Sequence, residues 1–262
     1  GTTGRPKGVR PPLALDRAGS GAAVLAAGAF TMLFQFSPED RYLCPGPLYH
    51  TAPLVFTSIQ HRLGATAVVL SKFDAEQALR AIETYRVTTS QWVPTHFIRM
   101  LRLPESTRQK YDLSSLRIAI HAAAPCPIPI KEAMIAWWGA KIVEYYAGTE
   151  GGGTIISAEE WLAHKGSVGK PWSGGRVHIL DDAGGEITNP QVDGAIYFEG
   201  PEDPKARFRY YKDDVKTEST YHGRLFTLGD VGHLDEDGYL YLTDRKSHMI
   251  ISGGVNIYPQ EI

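Results

Sequence analysis

Between Ala65 and Tyr146 short apolar runs alternate with segments whose apolar residues recur every three to four positions. The first pattern suits strands and the second helices, so the alternation predicts a parallel sheet with helices on its faces. Strands are expected at Ala65 to Leu70, Val87 to Val93, Leu116 to His121 and Lys141 to Tyr145. Helices are expected over Asp74 to Tyr85, Thr95 to Leu103 and Pro129 to Trp138. In the first of these Asp74 is suited to cap the amino terminus, and Ala78, Leu79 and Ile82 share one face. Gly21 to Phe34 is the most apolar stretch, 14 residues of mainly small side chains. A membrane span needs about 20, so the stretch reads as a buried helix.

Beyond Gly151 the texture changes to short strand-like pieces: Arg176 to Leu180, Ala195 to Glu199, Leu225 to Leu228 and Tyr239 to Thr243. The turn sequences Ala183-Gly184-Gly185 and Asp237-Gly238 separate them, which predicts antiparallel hairpins in a small barrel or sandwich. The expected fold is therefore α/β, a parallel α/β sheet followed by a small antiparallel β-barrel subdomain.

Composition narrows the function classes. A chain of 262 residues, 43% hydrophobic and 21% charged, can bury one large core or two to three smaller ones. Twenty-seven basic residues against 29 acidic give a net charge of −2. With no run of Lys or Arg, nothing tracks a nucleic-acid backbone. Cys44 and Cys126 form no CxxC pair, so a disulfide framework is not expected and a reducing cytoplasm fits.

In open parallel sheets ligands bind beyond the carboxyl ends of the strands, where helix amino termini point at them. His121-Ala122-Ala123-Ala124-Pro125 and Tyr146-Ala147-Gly148-Thr149-Glu150-Gly151-Gly152-Gly153 follow two of the predicted strands. Their small residues admit a flat ligand and let backbone N–H groups approach it. Tyr146 offers a stacking face, Thr149 a hydroxyl, and Glu150 a carboxylate for Mg²⁺, a hard cation shared with phosphates. A tight turn before Pro125 and a solvated loop carboxylate are the plainer accounts.

The opening GTTGRPKGV departs from the GxxxxGK[ST] loop, since Gly8 follows Lys7. It nevertheless combines Gly1 and Gly4, the hydroxyls of Thr2 and Thr3, and the Lys7 cation, an inventory for an anion such as pyrophosphate. A flexible Gly/Thr turn is the competing account. In the β part, Asp230 can accept two hydrogen bonds from a vicinal diol and Arg245 can donate to the same sugar or to a phosphate. Taken alone, those two are an acidic hairpin with its counter-ion.

In this order the motifs resemble the adenylate-forming superfamily of acyl-CoA synthetases, luciferase and peptide-synthetase adenylation domains. GTTGRPKGV resembles the end of its phosphate loop, Tyr146 to Glu150 its Tyr-Gly-x-Thr-Glu motif, and Gly166 to Pro171 its Gly-x-x-Gly-x-Pro segment. Thr227 to Asp230 is similar to its Thr-Gly-Asp segment, and Asp244 to Ile262 to the hinge before a small C-terminal domain. Ala147, Leu228 and His248 depart from the family pattern. The first two are tolerable where the backbone needs no positive φ; at the hinge, where Asp or Lys is usual, His248 is either a titrating switch or a tolerated surface residue.

The resemblance implies a fatty or bulky apolar carboxylic acid activated by ATP to an acyl adenylate and passed to coenzyme A. Thr2, Thr3, Gly4 and Lys7 would hold pyrophosphate, Tyr146 would stack on adenine beside Ala123 and Ala124, and Thr149 would touch the reacting phosphate. Glu150 would bind Mg²⁺, and Asp230 with Arg245 the ribose. Pro47-Leu48-Tyr49-His50 resembles the pattern that gates the acid and thiol channels, with a core histidine as the plainer reading of His50. The segments Tyr49 to Leu54, Trp92 to Phe97, His121 to Ala124 and Gly151 to Gly153 would line the acyl pocket. No Asp between Pro45 and Ile59 is available to pair an amino acid's ammonium.

The implied organisation is the end of a first α/β subdomain over residues 1–70, a second over 71–153, a β-barrel over 154–244 and a hinge over 245–262. Because the chain starts inside one motif and stops inside another, it reads as a piece inactive by itself. The alternatives are an acyl-AMP ligase loading a carrier protein and a non-catalytic nucleotide-binding module. Homo-oligomerisation stays open.

Overall fold

The computed structural model describes residues 8–10, 22–172, 174–245, 250–252 and 255–257. In chain order, β1 (Val9–Arg10) precedes α1 (Ala22–Leu33), β2 (Arg41–Cys44), α2 (Thr51–Leu63), β3 (Thr66–Val69), α3 (Ala75–Tyr85) and β4 (Thr89–Trp92). Next come α4 (Pro94–Leu101), α5 (Glu105–Arg108), β5 (Ile118–His121), α6 (Ile128–Trp138) and β6 (Ile142–Gly148). Then follow β7 (Gly151–Ser157), α7 (Ala158–Ala163), β8 (Ser167–Pro171), β9 (Val177–Leu180), β10 (Gly194–Glu199) and β11 (Arg209–Tyr210). The remainder is α8 (Asp214–Thr220), β12 (Tyr221–His222), β13 (Leu225–Leu234), β14 (Leu240–Arg245), β15 (Ile250–Ser252) and β16 (Val255–Ile257). Two compact units result: Ala23–Tyr146 with Ile156–Gly166, and Gly1–Ala22 with Ala147–Ile155 and Ser167–Ile262.

The first unit holds the parallel strands in the order β3-β2-β4-β5-β6. Trp92 lies opposite His121, and His121 opposite Glu144, so β4 and β5 end level while β6 runs on to Gly148. Helix α3 starts as the capping argument expects, with Asp74 Oδ1 accepting the Gln77 N–H at 2.8 Å. It buries Ala78, Leu79 and Ile82, and complete burial of an aliphatic side chain such as Leu79 stabilises by about 1.5–3 kcal/mol. The periodicity does not single out α2, whose buried Pro53, Phe56, Ile59 and Gln60 are interrupted by polar residues. Pro53 is tolerated there because it sits in the first turn, where its missing N–H would have had no partner.

The stretch at Gly21 to Phe34 does form a helix, α1, but its described face is not wholly buried as expected. Phe34 is enclosed, whereas Met32 is 78% exposed. Small apolar side chains all round give this helix no face that must turn inward.

The second unit holds antiparallel strands in the order β7-β8-β14-β13-β10-β9, with β12 on β13 and a separate β1-β11 pair. Strand β13 runs through the Thr227–Asp230 motif instead of ending at Leu228. Gly229 takes φ +86 there, and its N–H is held by Thr227 Oγ1 at 2.9 Å. Ser167 of the Gly166–Pro171 motif donates to the Leu240 carbonyl at 2.8 Å and so locks β8 to β14. The glycine cluster after Tyr146 is not a loop. It is the end of β6 and the start of β7, connected by the two residues Thr149 and Glu150.

Candidate active site

In the first unit, β5 ends in His121 and the chain leaves through Ala122-Ala123-Ala124. Ala122 is buried while Ala123 and Ala124 are exposed. Ala123 has φ +79, a left-handed conformation that costs a residue with a Cβ roughly 1–2 kcal/mol. Strain of that kind at the carboxyl end of a central strand marks a loop shaped for something other than its own stability. Tyr146 is half-buried near the end of β6, two residues beyond Glu144 and therefore on the same strand face.

His121, expected to touch substrate, is instead sealed in the core at 0% exposure. Its ring meets Phe97 edge-on at 5.3 Å, and Trp92, Phe97 and Trp138 close the cluster with centroid separations of 5.4–6.3 Å. Trp92 and Phe97 are therefore core rings and present no lining surface. Large aromatic rings at the strand–helix junctions gain more by interlocking than by facing a cleft. Burial, with the Lys131 charge in second place, pushes the His121 imidazole well below its ordinary value.

Beneath this loop lies an ion pair that sequence reading missed. Lys131 Nζ of α6 donates to Glu144 Oε2 at 2.5 Å, and His121 Nε2 stands 3.7 Å from the same oxygen. Lys131 is fully buried, with its ammonium 4.7 Å from the Trp161 ring centroid. Burial pushes Glu144 up and Lys131 down from their ordinary values, while each charge offsets part of the other's cost. Cys126 lies in the same neighbourhood; burial, then the Glu144 charge, pushes its thiol up to about 12. A thiol so shifted stays protonated at neutral pH and is no nucleophile.

Tyr49 and His50 lie just before α2, their rings 4.5 Å apart. Tyr49 is 84% exposed and His50 is exposed too, which excludes the core-histidine account. The first unit thus presents two surface sets, the Tyr49-His50 pair and the Ala123-Ala124 loop with Tyr146 on the adjacent strand.

In the second unit the Thr149–Glu150 turn is anchored at both ends. Glu150 Oε1 accepts the Tyr210 hydroxyl at 2.7 Å, while Oε2 accepts no hydrogen bond from any described residue. Gly148 sits close beneath two side-chain ends. A Cβ there would stand 2.5 Å from Leu228 Cδ2 and 2.9 Å from Glu150 Oε2. Leu228 therefore packs the turn against β13, two residues before the buried Asp230, whose backbone lies opposite Arg245. Neither Ala147 nor Leu228 has a positive φ, so both replacements meet the condition for tolerance.

Gly151 is exposed at φ +112. Behind it the expected pocket space is filled, by the Phe198 ring over Gly152 and the Trp172 ring over Gly153. The small residues there admit the protein's own rings.

Tyr210, the donor to Glu150, was overlooked by sequence reading. On β11 it lies opposite Val9, and the Tyr211 N–H donates to the Gly8 carbonyl at 2.7 Å. The segment leaving the Gly/Thr/Lys loop is thereby fastened to the strand whose tyrosine holds Glu150. The available signal was the aromatic run Phe208-Arg209-Tyr210-Tyr211. Thr2, Thr3, Gly4, Lys7 and His248 lie outside the described residues, as does the Arg245 side chain.

A single open carboxylate oxygen on a fixed turn suits Mg²⁺, which binds one or two carboxylates and takes its other ligands from phosphate and water. No described group of three or more His, Cys, Asp or Glu residues could cage a metal without such a ligand. An α/β unit and an antiparallel unit, linked through a Tyr-x-x-Thr-Glu hairpin, define the class as the large domain of adenylate-forming enzymes.

The AMP-binding enzyme family matches residues 1–205, and the chain belongs to that family. The long-chain-fatty-acid–CoA ligase of Bacillus subtilis is 33% identical over all of this chain and 45% of its own length. The 2-succinylbenzoate–CoA ligase of Bacillus licheniformis is 33% identical over all of this chain and 52% of its own length. The O-succinylbenzoate coenzyme A synthetase of Bacillus subtilis, solved in complex with ATP and magnesium ion, superposes with a TM-score of 0.75. It is 29% identical, over 91% of this chain and 48% of that one. The chain thus spans about half the length of the curated relatives it matches. Among the described residues no helix is long and apolar enough to cross a membrane.

Proposed function

We propose that this chain belongs to an ATP-dependent acid–thiol ligase that converts an apolar carboxylic acid to its acyl adenylate and then to its coenzyme A thioester. The observation that carries the reading is the Glu150 carboxylate, fixed by Tyr210 with one oxygen open, in a chain of the AMP-binding family. Two relatives named as CoA ligases and one solved with ATP and magnesium support the same chemistry.

In the first step a carboxylate oxygen of the acid attacks the α-phosphorus of ATP, and the bond to pyrophosphate breaks. In the second, the coenzyme A sulfur attacks the acyl carbon and AMP leaves. Magnesium supplies neutralisation of phosphate charge, and Glu150 is the residue that would hold it. Thr149 donates to the reacting phosphate, while Thr2, Thr3, Gly4 and Lys7 receive the departing pyrophosphate. Tyr146 stacks on the adenine next to Ala123 and Ala124, and Asp230 with Arg245 fixes the ribose. Tyr49 and His50, both at the surface, border the acid and thiol paths, whereas His121 supports the loop from within. The roles are positioning and charge stabilisation, which suffice for adenylyl transfer at an in-line geometry. The absence of Asp from Pro45 to Ile59 favours an uncharged acyl chain. We assign the enzyme to the cytoplasm.

The test is to supply the intact protein with ATP, Mg²⁺, coenzyme A and a panel of fatty and cyclic carboxylic acids. AMP and an acyl-CoA in equal amounts are expected with at least one acid. Acyl transfer only to a phosphopantetheinylated carrier would move the assignment to an acyl-AMP ligase, and ATP binding without turnover to a binding module.

A further inference from the structure

We infer that Tyr210 is a positioning residue for the metal-binding carboxylate, held in place from the far side by the pairing of β11 with β1. The inference rests on the proposed Mg²⁺ role of Glu150 and adds a residue and a linkage to it.

Three observations carry it. The Tyr210 hydroxyl donates to Glu150 Oε1 at 2.7 Å from a residue only 5% exposed, so the donor has little freedom to leave. Its own placement is over-determined. Thr217 Oγ1 accepts the Tyr210 N–H at 2.9 Å and donates to the Asp213 carbonyl at 2.8 Å. The ring packs edge-on against Phe208 at 5.6 Å. Thirdly, the other side of β11 is β1, with Val9 opposite Tyr210 and Gly8 bonded to Tyr211.

The physical consequence follows from geometry. A turn glutamate with a free side chain samples several rotamers and can present either oxygen, or both, to a cation. With Oε1 occupied, only Oε2 is offered, in one direction. A monodentate ligand already oriented spares the metal the ordering cost, and partners of this type typically change metal affinity by about 10- to 100-fold. Because Gly8 and β1 are bonded to β11, displacement of β11 would move residues 8–10 and the carboxylate together.

The experiment uses the intact protein with Tyr210→Phe, Glu150→Gln and the double substitution. Mn²⁺ is titrated calorimetrically into protein with ATP in the absence of acid, and the Mg²⁺ dependence of pyrophosphate release is measured in parallel. Tyr210→Phe should weaken Mn²⁺ binding about tenfold, leave the urea midpoint near that of the parent, and have no further effect in the Glu150→Gln background. That non-additivity distinguishes positioning from general loosening. If Glu150→Gln shifts the metal dependence and Tyr210→Phe does not, the inference fails while the Mg²⁺ role of Glu150 stands. If Glu150→Gln shifts nothing, both fall. Should Tyr210→Phe not fold, Thr217→Val loosens the same tyrosine. It should weaken Mn²⁺ binding in the same direction, and unchanged binding in that variant overturns the inference.

Discussion

The buried Lys131–Glu144 pair yields the sharpest stability prediction, because breaking it from either side should leave opposite signatures. In Lys131→Met the Glu144 carboxylate, at 5% exposure, loses its ammonium partner and keeps only the His121 ring, whose Nε2 stands 3.7 Å off. The carboxylate escapes by taking up a proton. From an ordinary carboxyl value of 4.5, holding that proton at about pH 7.5 costs three pH units, or about 4 kcal/mol. In Glu144→Gln the Lys131 ammonium must shed a proton instead. From its ordinary 10.5 that again costs about 4 kcal/mol at the same pH. Both figures agree with the 3–5 kcal/mol typical of a broken buried pair.

The pH slopes separate the two variants. Folded Lys131→Met carries one more proton than its unfolded chain, so its deficit grows as pH rises, by about 1.4 kcal/mol per unit. Folded Glu144→Gln carries one fewer, so its deficit shrinks. Removing both charges should cost less than either single change, since no unpaired charge is left buried. The assay is urea denaturation of the intact protein between about pH 6 and 9, followed by tryptophan fluorescence. Trp92, Trp137, Trp138 and Trp161, four of the five tryptophans, lie in the unit that holds the pair. Midpoints should fall by about 1–2 M at pH 7.5. Slopes of the same sign in the two variants, or no pH dependence in either, would refute the reasoning.

Further outcomes can be checked independently. Gly148→Ala forces either Leu228 or the Glu150 carboxylate to move, and should reduce pyrophosphate release at least about tenfold, worth about 1.4 kcal/mol. Adding Leu228→Ala should recover only part, because the contact with Glu150 persists. Ala123→Gly should leave the urea midpoint unchanged or slightly higher, since glycine accepts φ +79 freely, whereas Ala123→Val should lower the unfolding free energy by about 1 kcal/mol or more. His96 is stacked on Phe73 at 4.1 Å, and burial, then Arg99, lowers its pKa from 6.5 to about 4. The unfolded chain binds that proton first as pH falls, so stability is complete above about pH 6.5 and drops by about 3 kcal/mol toward pH 4. His96→Phe should flatten this part of the stability profile; an unaltered profile would contradict the assignment.

Much of this architecture was legible in periodicity, and the exceptions have physical causes. Strands β3 to β6 and helices α3, α4 and α6 fall close to their expected places because buried parallel strands and amphipathic helices write regular patterns. Helix α2 was hidden by polar residues and an early proline. The Ser157-x-x-Glu160 signature of α7 was available: Ser157 Oγ accepts the Glu160 N–H at 3.2 Å, and the Glu160 carboxylate accepts the Ser157 N–H at 2.9 Å. The motif from Tyr146 to Gly153 was singled out for its chemistry, but its glycines suggested a loop where two strands meet in a tight turn.

Site residues from different parts of the chain were harder to read. The aromatic run Phe208 to Tyr211 draws notice, but nothing in it points to Glu150, 60 positions away. Lys131 and Glu144 look like exposed helix and strand charges until β5 and α6 close over them. His121 carries a residue type that invites a substrate-binding reading, and only packing reveals an enclosed ring.

Carboxylate oxygen transfer tests the central claim most directly. The intact protein is given ATP, Mg²⁺, coenzyme A and an accepted acid labelled with ¹⁸O in its carboxylate, and the phosphorus-containing products are weighed by mass spectrometry. Formation of an acyl adenylate predicts one heavy oxygen in AMP and none in pyrophosphate. Label in inorganic phosphate together with ADP, or thioester formed with unlabelled AMP, would contradict the account.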